Sequence, residues 1–220
     1  MKRLIAILFL SSAVLRLQSQ GFLNLNFEQA NLTGYPPGSS DVPITNALPH
    51  WTGYFGSPTF GTNQSTQALY DAVLLGSGGI SIQDTNGNIG IPLPLAGRYS
   101  VVLEGSRYAG QYSAIIGQTG QIPDSAKSLT LWGFIGANNV TFNGQNLPLV
   151  LFDSTPNYNI YGADVSTYVG QTGELRFTAN YLEVAILDNI QFSTAPVPEP
   201  GALALGGLGL CLFGFRRWKK

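Results

Sequence analysis

Between Phe22 and Ser193, apolar and polar residues alternate in short runs separated by turn-forming residues. Phe22-Leu23-Asn24-Leu25-Asn26-Phe27 and Tyr99-Ser100-Val101-Val102-Leu103 alternate in this way. So do Ser128-Leu129-Thr130-Leu131-Trp132 and Glu174-Leu175-Arg176-Phe177-Thr178. A period of two turns one face of a strand to a core and the other to water. Asn86-Gly87 and Asn143-Gly144 predict tight turns, and Thr141-Phe142-Asn143-Gly144-Gln145 reads as a hairpin tip. No stretch of the body carries a helical period. About eight to eleven short strands at this spacing predict an all-β fold, an antiparallel β-sandwich or jelly roll.

The two ends break the pattern. Lys2 and Arg3 precede an apolar run over residues 4–14, the layout of an export signal peptide. Cleavage is predicted after Ser19, with Gln20 as the alternative site and an uncleaved anchor as the competing reading. Residues 201–215 carry no charge. As a helix they span about 22 Å, against a hydrocarbon core about 30 Å thick. They predict a short transmembrane helix, lengthened by snorkelling basic side chains. Trp218 suits the interface, and Arg216, Arg217, Lys219 and Lys220 hold the end in the cytoplasm. A buried core helix would have no need of that basic cluster. The expected layout is a signal peptide over 1–19, a β domain over 20–194 and a C-terminal sorting region over 195–220.

Charge is divided unevenly. From Gly21 to Val197 there are four basic residues (Arg98, Arg107, Lys127 and Arg176) against eleven acidic ones, so the body is strongly acidic. Nucleic acid, which is bound through clustered Lys and Arg, is excluded as a partner. The sole cysteine, Cys211, lies in the C-terminal apolar run, so no disulfide staples the body.

Val197-Pro198-Glu199-Pro200, a Gly/Leu-rich span and then Arg216-Arg217 resemble, in order and spacing, the PEP-CTERM sorting signal. The resemblance covers about twenty-four residues and makes Pro198, Glu199, Pro200, Arg216 and Arg217 the sorting and processing residues. It implies a Gram-negative bacterial protein handled by an exosortase, a membrane-embedded cysteine peptidase, often alongside exopolysaccharide production. Proline fixes φ and lacks an N–H, so the triplet stays extended beside the membrane, where a peptidase reaches it. The implied route is export, a transient inner-membrane anchor, then the cell surface or extracellular matrix.

The body carries a second resemblance. Asn26-Phe27-Glu28, Pro49-His50-Trp51, Gly97-Arg98-Tyr99-Ser100 and Leu187-Asp188-Asn189-Ile190 look like galactose-binding-like jelly rolls, the plan of many carbohydrate-binding modules. That family places its first and last strands side by side, with an acid from each holding a structural calcium ion. The matching positions are Glu28 and Asp188. Carboxylates suit the hard calcium ion, and ordinary strand-end acids are the competing reading.

Other chemistry is thin. His50 is the sole histidine, without a nucleophile motif or a cysteine partner in the body, so triads and the usual zinc sites lack their parts. Asp84-Thr85-Asn86-Gly87-Asn88 fails the calcium-loop pattern, with Ile89 and Leu95 where Gly and Glu belong. Gly76-Ser77-Gly78-Gly79 lacks the lysine and helix of a phosphate cradle. Sugar binding calls for exposed aromatic faces, and the candidates are Tyr54, Phe55 and Phe60, Tyr108 and Tyr112, and Tyr158 and Tyr161. Core or cross-strand packing is the competing role for each. The leading expectation is a non-catalytic surface or matrix component, either structural or polysaccharide-binding. The alternative is a polysaccharide-active enzyme using a carboxylate pair that the spacing does not identify.

Overall fold

The computed structural model describes residues 21–57, 61–73, 76–84, 93–107, 112–136 and 139–197. The leader, the Pro198-Glu199-Pro200 triplet, the C-terminal apolar span with Arg216 and Arg217, the Asn86-Gly87 turn, Phe60 and Tyr108 lie outside them. Among the described residues, no helix is long and apolar enough to cross a membrane.

The body is all-β. In chain order its elements are β1 (Val42–Pro43), α1 (Ile44–Ala47), β2 (Thr52–Ser57), β3 (Gly61–Ser65), β4 (Gln67–Tyr70), β5 (Gly79–Gln83), β6 (Ser100–Glu104) and β7 (Ser113–Gln121). There follow β8 (Ser128–Phe134), β9 (Val140–Phe142), β10 (Gln145–Asn146), β11 (Val150–Ser154), β12 (Asn159–Asp164), β13 (Thr172–Ala179) and β14 (Val184–Ser193). Eight strands form one sheet in the order β1-β4-β5-β6-β14-β8-β12-β11, and six form the other, β10-β9-β13-β7-β2-β3. All pairings between these strands are antiparallel except β4 with β5, which is parallel, a departure from the expected antiparallel plan.

Each sheet turns one face inward. Val101, Leu103, Leu131 and Leu187 from the larger sheet meet Ile116, Phe142, Leu175 and Phe177 from the smaller in a single core. This is the two-sheet sandwich that period-two patterning demands. Trp51 sits between Phe27 and Phe177, at 5.7 and 6.0 Å. Its indole N–H donates to the Asn24 carbonyl at 3.0 Å, so the polar atom of a buried tryptophan is satisfied. Asn143 and Gly144 both adopt positive φ and close the β9–β10 hairpin where the sequence places a tip.

The alternation at residues 22–27 does not become a strand. Asn24 and Phe27 take φ of 50° and 60°, which breaks the pleat. The Gln118 side chain takes over the ladder's work, accepting from Leu23 N at 2.6 Å and donating to its carbonyl at 2.9 Å. The segment still lies along the last strand: Ile190 N donates to the Leu25 carbonyl, and Phe22 stacks on Phe192 at 5.4 Å. Gly21 bridges Gln121, while Ser193 and Ala195 bond to Lys127 and Ser128. Both ends of the body therefore leave the sandwich beside the same loop, residues 122–127.

Candidate ligand-binding face

The outward face of the larger sheet is aromatic. In β8, Leu129 and Leu131 point into the core, so Thr130, Trp132 and Phe134 point out. Trp132 stacks on Tyr158 with centroids 4.7 Å apart and planes 12° apart. On the next strand Ile160 is the cross-strand partner of Trp132, and Gly162 leaves room for the Phe152 ring, which lies 2.9 Å from where a Cβ would stand. Trp132, Phe134, Phe152 and Tyr158 are all half-buried. On the other side, Ile186, Val102 and Leu93 form a small apolar cluster with Phe134 and Leu95. The result is an aromatic stripe bordered by the loop over residues 93–97.

Strand alternation separates the aromatic pairs marked in the sequence. Tyr54 faces outward on the smaller sheet, under the Arg176 guanidinium at 4.9 Å, and Arg176 pairs with Glu174 at 2.6 Å. Phe55 turns the other way, packs against the core and contacts Gly78, beside Tyr112. Phe55 and Tyr112 are thus brought together, and Tyr54 is not. Tyr158 joins the stripe, whereas Tyr161 packs against the core and accepts from Asn159 Nδ2 at 2.9 Å. Trp132 escaped the sequence reading, although its place in Leu129-Thr130-Leu131-Trp132, out of phase with both leucines, marks it as outward-facing.

Glu28 and Asp188 meet at one loop. Glu28 Oε1 accepts from Arg98 N at 2.8 Å and Tyr99 N at 3.0 Å. Asp188 Oδ2 accepts from Ala96 N and from Ser100 Oγ, both at 2.7 Å, and its Oδ1 accepts from Asn189 N at 2.6 Å. Asp188 is fully buried. Burial pushes its carboxyl up to about 6, against the pull of these hydrogen bonds, and the Glu28 charge adds to the rise. Calcium gathers six to eight oxygen ligands. What closes on these two carboxylates is a set of N–H and O–H donors, and among the described residues no three acidic, His or Cys side chains gather as a metal group. This donor set makes the two carboxylates a clamp on the loop over residues 96–100.

A second acid pair stands at the ends of β4 and β5. Asp71 Oδ1 accepts from Asp84 N at 2.8 Å, and the Tyr70 hydroxyl donates to Asp84 Oδ2 at 2.6 Å. Burial raises the Asp71 carboxyl to about 6, with the neighbouring Asp84 adding to the rise against its own backbone bond. The Tyr70 phenol is raised by burial and by its bond to Asp84.

Residues 196–220 match the PEP-CTERM protein-sorting motif. A chain with this signal is exported, anchored transiently in the membrane and sorted by exosortase, a membrane protease. No curated protein matches the chain. Two solved structures are similar to it. One is a Stig cyclase, Fisc, from Fischerella sp. TAU in complex with (3Z)-3-(1-methyl-2-pyrrolidinylidene)-3H-indole, at TM-score 0.47 and 14% identity. The other is an apo form cyclase from Fischerella sp., at TM-score 0.44 and 14% identity. Each likeness covers 82% of this chain and 98% of the other.

Proposed function

We propose that this is a non-catalytic protein of the cell surface or extracellular matrix whose sandwich binds an extracellular polysaccharide on the outward face of its larger sheet. In this reading the leader ends at residue 19, the galactose-binding-like body spans 20–194, and the tail over 195–220 is removed when exosortase acts. The stacked, half-buried Trp132–Tyr158 pair carries the proposal. A tryptophan on the solvent side of a sheet adds nothing to the inter-sheet core. A flat ring there offers a sugar's C–H face a surface to stack on, and neighbouring polar groups take its hydroxyls. Polysaccharide titrated into residues 21–197 and followed by tryptophan fluorescence tests it. Trp132→Ala is expected to weaken binding about tenfold or more, since one aromatic contact contributes on the order of 1.5 kcal/mol. Binding unchanged in Trp132→Ala, with the fold intact by circular dichroism, would sink the assignment.

One observation favours an enzyme as the second reading. Asp71 and Asp84 stand together, one of them with a raised pKa, and in this reading they would serve as the carboxylate pair that spacing did not identify. Polysaccharide turnover lost in Asp71→Asn, but kept in Trp132→Ala, would favour it over the binding module.

A further inference from the structure

The two sheets expose four edges, and three of them are blunted. β1 is two residues long and includes Pro43, and β10 is two residues long. β11 carries a register shift between Leu151 and Asp153 and places the charge of Asp153 on its edge. Short strands, prolines, bulges and charges are the usual devices that stop an edge from pairing with another chain.

β3 has none of these. Its five residues, Gly61-Thr62-Asn63-Gln64-Ser65, pair with β2 in unbroken register from Ser57↔Gly61 to Gly53↔Ser65. Residues 61–64 are exposed, and the strand has no charge and no proline. In an antiparallel ladder, alternate residues turn their N–H and C=O groups to the neighbour and the others turn theirs outward. The outer side of β3 is thus a row of backbone donors and acceptors, and among the described residues no strand lies beside it.

We infer that β3 is a self-association edge, at which a second copy of this chain adds its own β3 antiparallel about a twofold axis at Asn63. The symmetry explains the residue types. Asn63 faces Asn63 of the second copy, and Thr62 faces Gln64, so each pair is hydroxyl with amide or amide with amide. Such pairs hydrogen-bond across a ladder. The body is acidic, and two copies would repel over most of their surfaces. β3 itself carries no charge, and on the neighbouring β2 the Arg176 guanidinium lies over Tyr54, the cross-strand partner of Gln64. The interface is isologous and closed. It joins two six-stranded sheets into one and leaves the Trp132 face of each copy free. The inference does not depend on what that face binds.

Residues 21–197 contain the whole core and both sheets, and they hold no cysteine. This permits a clean test. In an antiparallel pair about the axis, the two residues at position 63 have Cα atoms about 4.5–5.5 Å apart, within disulfide reach. Under mild oxidation Asn63→Cys is expected to form covalent dimers at least about tenfold faster than Thr167→Cys, an exposed control far from the edge, because association raises the local thiol concentration. Sedimentation is expected to show weak dimerisation, with a Kd on the order of 0.1 mM for an interface this small. The Thr62→Lys/Gln64→Lys double variant sets lysine against lysine and abolishes the dimer. Thr62→Lys/Gln64→Glu sets lysine against glutamate and restores it. A wild-type chain that stays monomeric to millimolar concentration, equal cross-linking at positions 63 and 167, or a charge-swapped variant no better than the double lysine would each overturn the inference. A monomer would leave the edge to a strand of another protein.

Discussion

Asp188 makes the stability of this protein rise on mild acidification. Its carboxyl is fully buried, and folding raises its pKa from 3.8 to about 6. An acid with a raised pKa holds its proton more tightly folded than unfolded. Its protonation stabilises the fold fully below the unfolded value of 3.8, and that contribution is lost as pH rises through about 6. The whole effect is about 3 kcal/mol at 1.36 kcal/mol per pKa unit, of which about 1 kcal/mol appears between pH 7 and pH 5. For a domain of this size that is a melting-temperature rise of roughly 2–4 °C. Asp71, also raised to about 6, contributes in the same direction, as does the falling net charge, so a variant must isolate the Asp188 share. Asp188→Asn keeps one oxygen for Ala96 N and Ser100 Oγ but sets an NH2 against Asn189 N. Leaving that N–H unpaired costs about 1–3 kcal/mol, which offsets the relief from burying a charge. The slope with pH is therefore the readout, and the absolute stability is not. Thermal unfolding of residues 21–197 at pH 5, 6 and 7, followed by circular dichroism, should show the wild-type rise and a rise smaller by about 2–4 °C in Asp188→Asn. A variant with the wild-type slope would refute the reasoning.

Glu199→Ala should leave the unprocessed chain in the membrane fraction, seen by blotting, because the sorting motif at residues 196–220 would lose the acid of its Pro-Glu-Pro triplet; normal release would remove the triplet's role. Gly133 sits at φ +145° in β8, where a Cβ would run into the Ile186 carbonyl oxygen of β14. Gly133→Ala should therefore cost more than about 3 kcal/mol in urea denaturation, since backbone on backbone has no side chain to move aside.

Much was legible before any fold was in hand. Burial period, turn chemistry and charge are local properties. They locate β6, β8, β13 and the Asn143-Gly144 hairpin, and they name a two-layer β body ahead of a sorting tail. The sorting signal is legible for the same reason: it is read as a linear peptide, so its order and spacing are the whole of its information.

The sites were not legible, because each is built from residues far apart in sequence. Tyr54 and Phe55 are neighbours in the chain, yet the pleat sends them to opposite faces; Tyr158 and Tyr161 part in the same way. Trp132 and Tyr158 meet only because β12 pairs with β8. Residues 22–27 alternate like a strand, but a strand exists only when a neighbour supplies its hydrogen bonds, and here the Gln118 side chain and two positive-φ residues supply a different solution. Glu28 and Asp188 could be paired by resemblance, but only the tertiary structure surrounds them with amide N–H donors. Asp71 and Asp84 come together through the parallel β4–β5 pair, which no turn signal announces. Periodicity states which way a side chain faces; the sheet order alone decides what it meets there.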